Sequence, residues 1–248
     1  NNVCHARWYH HTSGEARPAI VFLHGWGAGQ FHIESRAYPA DWFYGKGLDV
    51  LYVTLPFHAR RKPVGRRTPM FPSSDPVRSN EGFAQAVLDV RSAIRFLYDQ
   101  GAPAVGLSGM SLGGFTTALT ATIDTSLAFA MPVIPFSSLP DLILHHGEQS
   151  EAMEKAREEG LEPSRYRAAF AAVDVFSRRP TVDAESVLIA GAERDLVTPI
   201  VHAERLHGHF AGSTLHRLPG AHVVQVGRSA LFRRMVSFLE ERKILPGS

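Results

Sequence analysis

The sequence predicts an α/β protein, a mainly parallel sheet of about seven or eight strands with helices on both faces. Three observations lead there. Short apolar runs alternate with stretches whose apolar residues recur at helical spacing along most of the 248 residues. A strand-like run ends at Ser108 and a helix-like run begins at Leu112, with only Gly109-Met110-Ser111 between them. One charged, proline-flanked segment, 136–180, breaks the alternation once.

Taken in order, RWYHH (7–11) and AIVFLH (19–24) read as strands around the turn-rich TSGEARP, and LDVLYVTL (48–55) as a third. Residues 78–99 place Phe83, Val87, Val90, Ile94 and Leu97 on one helical face, and Gly101 and Pro103 close that helix. AVGLS (104–108) is a short strand, followed by a helix over 112–122. SLAFAMPVI (126–134), SVLIAG (186–191) and STLHRL (213–218) are further strands, with a helix near 199–207 and a last amphipathic helix over 228–243. The segment 136–180 carries EAMEKAREEG between Pro135, Pro140, Pro163 and Pro180. It reads as a small helical cap inserted into a single domain spanning 1–248, being near the size below which a segment does not fold alone.

Composition bounds the function classes. Hydrophobic residues make up 44% and charged residues 20%, the balance of a globular enzyme with one sizeable core. No run approaches the ~18 apolar residues of a membrane span, so no stable membrane insertion is expected. The chain start shows no charged-then-apolar signal pattern. Cys4 is the single cysteine, which excludes an internal disulfide and fits a reducing, cytoplasmic setting. Net charge is +2, yet HARRKPVGRR (58–67) holds five of the 26 basic residues and no acid. The positive charge is thus one loop rather than a face, which argues against nucleic acid as a partner. A monomer or homodimer acting on a small molecule is expected.

The chemistry-bearing pattern is Gly109-Met110-Ser111-Leu112-Gly113. A serine between glycines at a strand-to-helix turn is held in strained backbone with its hydroxyl exposed, beside the free N–H groups of the helix start. Ser108 competes but lies inside the strand and lacks the flanking glycines. A serine hydroxyl needs a base, usually a histidine held by a carboxylate. His222 follows the last strand and Asp195 follows SVLIAG, so all three side chains sit on post-strand loops at one edge of the sheet, with Glu193 as the rival acid. His24-Gly25-Trp26-Gly27 follows the second strand. It lacks the spacing of a phosphate cradle, and His24 reads as a loop-shaping residue. Trp26 and Leu112 are the candidate oxyanion donors through their backbone N–H groups. The paired and clustered histidines, 145–146 and 202–209, lack the cysteine or carboxylate partners of a metal site, so neither a metal nor an organic cofactor is expected.

These segments together resemble the α/β-hydrolase superfamily, over about Arg7 to Leu245. They resemble in particular its dienelactone-hydrolase-like and prolyl-oligopeptidase-like branch, in which short-chain carboxylesterases occur. The resemblance implies a serine hydrolase cleaving carboxylic esters through an acyl-enzyme, with Ser111, Asp195 and His222 as catalytic triad. A small peptidase of the prolyl-oligopeptidase type and a non-catalytic binding protein on the same fold are the alternatives. The family places a cap after the sixth strand, matching 136–180. Where many relatives carry D-x-x-G-H-G-x-S, this chain has LPFHARRKP. The basic loop leaves the carboxyl end of a strand, so His58, Arg60 and Arg61 are expected at the pocket rim as candidate contacts to an anionic substrate group.

Overall fold

The inner strands of the sheet are short, mostly apolar and buried, the pattern of strands covered on both faces, while the two edge strands carry exposed polar residues. In the computed structural model, which describes residues 3–148, 150–160, 162–223 and 226–246, the strands are β1 (Ala6–Tyr9), β2 (Ala19–Leu23), β3 (Asp49–Val53), β4 (Val105–Met110), β5 (Phe129–Val133), β6 (Leu188–Ala192) and β7 (Thr214–Leu218). Their spatial order is β1-β3-β2-β4-β5-β6-β7. Every pairing is parallel except β1 with β3, where Ala6 stands opposite Val53 in an antiparallel edge.

Side chains along a strand alternate between faces, and the two cores follow that rule. Val21 and Leu23 of β2 join one cluster with α3 (Pro76–Asp99) and α4 (Leu112–Thr120), through Phe83, Val90, Phe115 and Leu119. Ile20 and Phe22 join the other with α2 (Ala40–Tyr44) and α9 (Arg228–Glu241), through Phe43, Met235 and Leu239. α3 begins at Asp75, whose carboxylate accepts the N–H groups of Val77 and Arg78, with Pro76 at the first helical position.

Between β5 and β6 the chain forms α5 (Leu139–Gly147), α6 (Glu151–Glu158) and α7 (Pro163–Ala168), where the sequence places its helical interruption. Gln149 and Leu161 of that segment lie outside the described residues. α8 (Val201–His209) links β6 to β7. The sequence reading omits α1 (Phe31–Ala37) and α2. Both are one to two turns long, and Pro39, Gly45 and Gly47 bracket α2, so neither builds a readable periodicity. No helix among the described residues is long and apolar enough to cross a membrane.

Candidate active site

Ser111 sits between β4 and α4 with φ 56° and ψ −109°, a left-handed backbone that a side-chain-bearing residue adopts only under constraint. The constraint is the surrounding glycines. A Cβ on Gly109 would stand 2.3 Å from the Gly113 carbonyl oxygen, and one on Gly113 would stand 2.2 Å from that of Leu23. Strand β4, helix α4 and strand β2 therefore meet backbone to backbone, and only glycine fits. Ser108 lies fully buried inside β4, its hydroxyl donating to the Met131 carbonyl at 2.9 Å.

Three residues far apart in the chain converge at this turn. His222 Nε2 lies 3.0 Å from Ser111 Oγ, and His222 Nδ1 lies 2.7 Å from Asp195 Oδ2. The Asp195 side chain is wholly buried, and its other oxygen accepts the N–H groups of Val197 and Thr198, each at 2.8 Å. Burial pulls its pKa upward. The hydrogen bond from His222 and the two amides outweigh that and hold the carboxyl below its ordinary value. Glu193, the rival acid, has an exposed side chain.

Thr198 is a member of this cluster that the sequence reading misses. Its hydroxyl lies 3.0 Å from the Ile134 carbonyl oxygen, 3.0 Å from Asp195 Oδ2 and 3.1 Å from His222 Nδ1. The single hydroxyl proton goes to one of the two oxygens while a lone pair faces the imidazole. The signal available was its place in the Asp195 loop, directly before Pro199. The end of β5 holds both ends of the array: the Val133 carbonyl takes the Ser111 N–H at 2.9 Å, and the next carbonyl, Ile134, takes Thr198. Ile134 itself has φ 40°.

No family model matches the chain. Uncharacterized proteins from two strains of Mycobacterium tuberculosis are each 28% identical to it over 212 residues, covering 84% of this chain and 50% of the relative. The chain thus spans about half the length of the curated relatives it matches. Among solved structures, an acetyl xylan esterase from a Paenibacillus species superposes over 94% of this chain and 79% of its own, with TM-score 0.69 at 17% identity. An enol-lactonase from Burkholderia xenovorans covers 95% and 96%, with TM-score 0.59 at 16% identity. A puromycin-hydrolyzing peptidase of M. tuberculosis covers 99% of this chain but 38% of that one, with TM-score 0.68 at 18% identity. The chain has the α/β-hydrolase fold.

In this α/β-hydrolase fold the loop after β2 lies against the serine turn. A Cβ on Gly25 would approach the Met110 carbonyl oxygen at 3.6 Å and Ser111 Cβ at 3.8 Å. Trp26 follows with its indole mostly exposed, and Leu112, buried, opens α4 directly after the serine. His24 shapes this loop from beneath: Nδ1 donates to the Gly25 carbonyl at 2.8 Å and Nε2 accepts the Leu55 N–H at 2.9 Å. Burial, and His58 beside it, push its pKa down to about 3, so the ring is neutral. Glu34, another residue missing from the sequence reading, accepts the Gly29 N–H at 2.8 Å and secures the far end of the loop.

The basic loop divides. His58 and Arg61, expected at the rim with Arg60, point into the protein. His58 is fully buried, its Nδ1 donating to the Pro56 carbonyl. Arg61 donates to Asp89 Oδ2 at 2.5 Å and to the Thr54 carbonyl at 2.9 Å. The reason is Asp89, an acid on the buried face of α3 that needs a counter-charge. Arg60 is the exposed member of the three. Beneath α5 and α7 lies a cavity of about 240 Å³ lined by Phe115, Leu139 and Phe170, with Arg167 and Arg205 on its polar side. Both arginines are engaged by Asp141, at 2.6 and 3.0 Å.

Proposed function

We propose that the chain is a serine hydrolase of carboxylic esters, with Ser111 as nucleophile, His222 as base and acid, and Asp195 as the carboxylate that orients the imidazole. The observation that carries this reading is the continuous line from Ser111 Oγ through both ring nitrogens of His222 to a buried Asp195, at 3.0 and 2.7 Å.

In this reading Ser111 Oγ attacks the ester carbonyl as His222 Nε2 takes its proton, and Asp195 stabilises the resulting imidazolium. The tetrahedral oxyanion is met by the backbone N–H groups of Leu112 and Trp26, an arrangement worth about 3 to 4 kcal/mol per donor in related cases. His222 then passes its proton to the departing alkoxide, leaving an acyl-serine. Water attacks the acyl group by the same route in reverse, giving the free acid and the starting serine. No cofactor enters these steps. The helical segment 136–180 serves as the cap.

The test is hydrolysis of p-nitrophenyl esters from acetate to palmitate by the chain and by Ser111→Ala. The expected result is turnover by the chain and loss of it in the variant. Turnover that survives Ser111→Ala refutes the assignment, and inactivity on every ester refutes the ester reading.

A further inference from the structure

A cleft of about 390 Å³ opens on the far side of the loop after β2, lined by Arg7, Gly29, Gln30, Phe31, His32, Ala59, Arg60 and Lys62. Three of these residues are cations, and none is Asp or Glu. The acids behind its wall are already engaged: Glu34, buried, with the Gly29 N–H, and Asp89 with Arg61 and Gln85. Gathering three positive charges around a concavity without a carboxylate is unfavourable in the free protein, and an incoming anion reverses that.

Two of the cations make contacts of their own. Arg7 lies over the Phe31 ring at 5.4 Å, and Lys62 Nζ donates to the Arg67 carbonyl at 2.9 Å. Arg60 sits in the 3₁₀ turn Ala59–Arg61, entered through left-handed backbone at Phe57 (φ 61°) and Ala59 (φ 43°). Because Arg61 in that turn is pinned inward on Asp89, its neighbour Arg60 is left facing outward. Strained backbone locked by a buried ion pair thus fixes where the Arg60 side chain leaves the main chain at the cleft.

The cleft and the candidate active site share the loop after β2. Gly25 lies against Ser111 and Gly29 forms the cleft wall, four residues further along a loop tightened by the Ala28 N–H to Gly25 carbonyl bond at 3.3 Å. Chain reach puts the two ends at most about 14 Å apart. The cavity beneath α5 does not compete for the same role, since Asp141 already occupies both of its arginines.

We propose that this cleft binds a carboxylate or phosphate carried at the far end of the ester, so that the favoured substrates are anionic esters. The inference rests on the ester-hydrolase reading for its meaning, but its test does not need turnover. Guanidinium groups grip either oxyanion through paired N–H donors, which sets the shared chemistry.

The experiment is isothermal titration of Ser111→Ala with monomethyl and dimethyl esters of glutarate, adipate and suberate, and with methyl 4-phosphonobutanoate. At least one anionic ligand is expected to bind about tenfold or more tightly than its neutral diester. The advantage is expected to shrink with added salt and to vanish in the Arg7→Gln/Arg60→Gln background. The carboxylate and phosphonate arms separate the two oxyanions. Equal binding of half-ester and diester, no binding of any anionic ligand in the millimolar range, or an advantage that survives the double substitution overturns the proposal. Turnover of the neutral diesters by the unsubstituted chain is scored separately. Absence of turnover of both the diesters and the half-esters, beside a persisting charge preference in binding, would defeat the hydrolase reading and leave the anion site standing.

Discussion

The Thr198 hydroxyl stands 3.1 Å from His222 Nδ1 while touching Asp195 Oδ2 at 3.0 Å. It therefore braces the proposed acid–base pair from the side. Thr198→Val keeps the shape and removes the bond. The expected outcome is a fall in kcat of about tenfold with KM little changed, since one hydrogen bond in a buried network is worth about 1.4 kcal/mol. Thr198→Ser is expected to restore most of the rate. Steady-state kinetics on a p-nitrophenyl ester across pH decides it, and a change confined to KM speaks against a positioning role.

Asp195→Asn retains an oxygen for the Val197 and Thr198 amides but turns an N–H donor towards His222. The imidazole must then present the wrong tautomer to Ser111. In the triad template this costs about 10⁴ in kcat with the fold intact. A loss of only a few-fold, with an unchanged melting temperature, would remove Asp195 from the mechanism.

The buried Arg61–Asp89 pair predicts an asymmetric stability cycle. Asp89→Leu alone strands a guanidinium whose side chain is 1% exposed, and the expected cost is about 3 to 5 kcal/mol. The double variant Arg61→Met/Asp89→Leu should recover most of it, because the two desolvation penalties leave together. Urea denaturation of the unsubstituted chain, Asp89→Leu, Arg61→Met and the double variant measures the coupling. Simple additivity of the single losses would contradict it.

Acid is expected to destabilise the fold before the carboxylates titrate. Burial holds His24 at about 3, and His58 and His202 at about 4, with nearby cations adding to the effect. Each has an unfolded value near 6.5, so the unfolded chain binds the extra protons. Stability from keeping these rings neutral is complete above the unfolded value and is lost as pH falls from there towards about 4. Each ring contributes a slope of about 1.4 kcal/mol per pH unit within that window. Melting temperatures that stay flat between pH 7 and 5 would contradict this.

Two glycines should respond in opposite directions to alanine. Gly113→Ala forces a methyl within 2.2 Å of the Leu23 carbonyl oxygen, a backbone clash expected to cost at least about 1 to 3 kcal/mol. Gly208, inside α8, has nothing within 4 Å of the point where an alanine methyl would stand, and Gly208→Ala is expected to gain about 0.5 to 1 kcal/mol from helix propensity. Chemical denaturation of both variants checks the pair.

The strands and long helices were legible because each is a run of one period: β2, β5 and β6 are unbroken apolar stretches, and α3 repeats its apolar face for several turns. The Ser111, Asp195 and His222 convergence was legible because all three follow strands that run the same way, which places them on one edge. What escaped was set by tertiary demand. Asp89 sits on the apolar face of α3, so a buried cation was needed, but nothing in HARRKPVGRR marks Arg61 rather than Arg60 as the one to turn in. Thr198 and Glu34 each act through hydrogen bonds to a loop whose path only the folded chain defines.

The end of β5 lends no side chain to the proposed chemistry, yet its last carbonyl and the one after it hold the serine turn and the threonine brace. Substitution scanning changes side chains and leaves carbonyls in place, so losses at Val133 and Ile134, both buried in the core, would be read as packing and not as support of the site. At Ile134, φ 40° alone would favour glycine, but the side chain is buried in the core, so its packing would be lost with it. A map of functional residues drawn from mutants alone would leave a gap at the centre of the site, filled by main chain that any sequence able to follow the same path could supply.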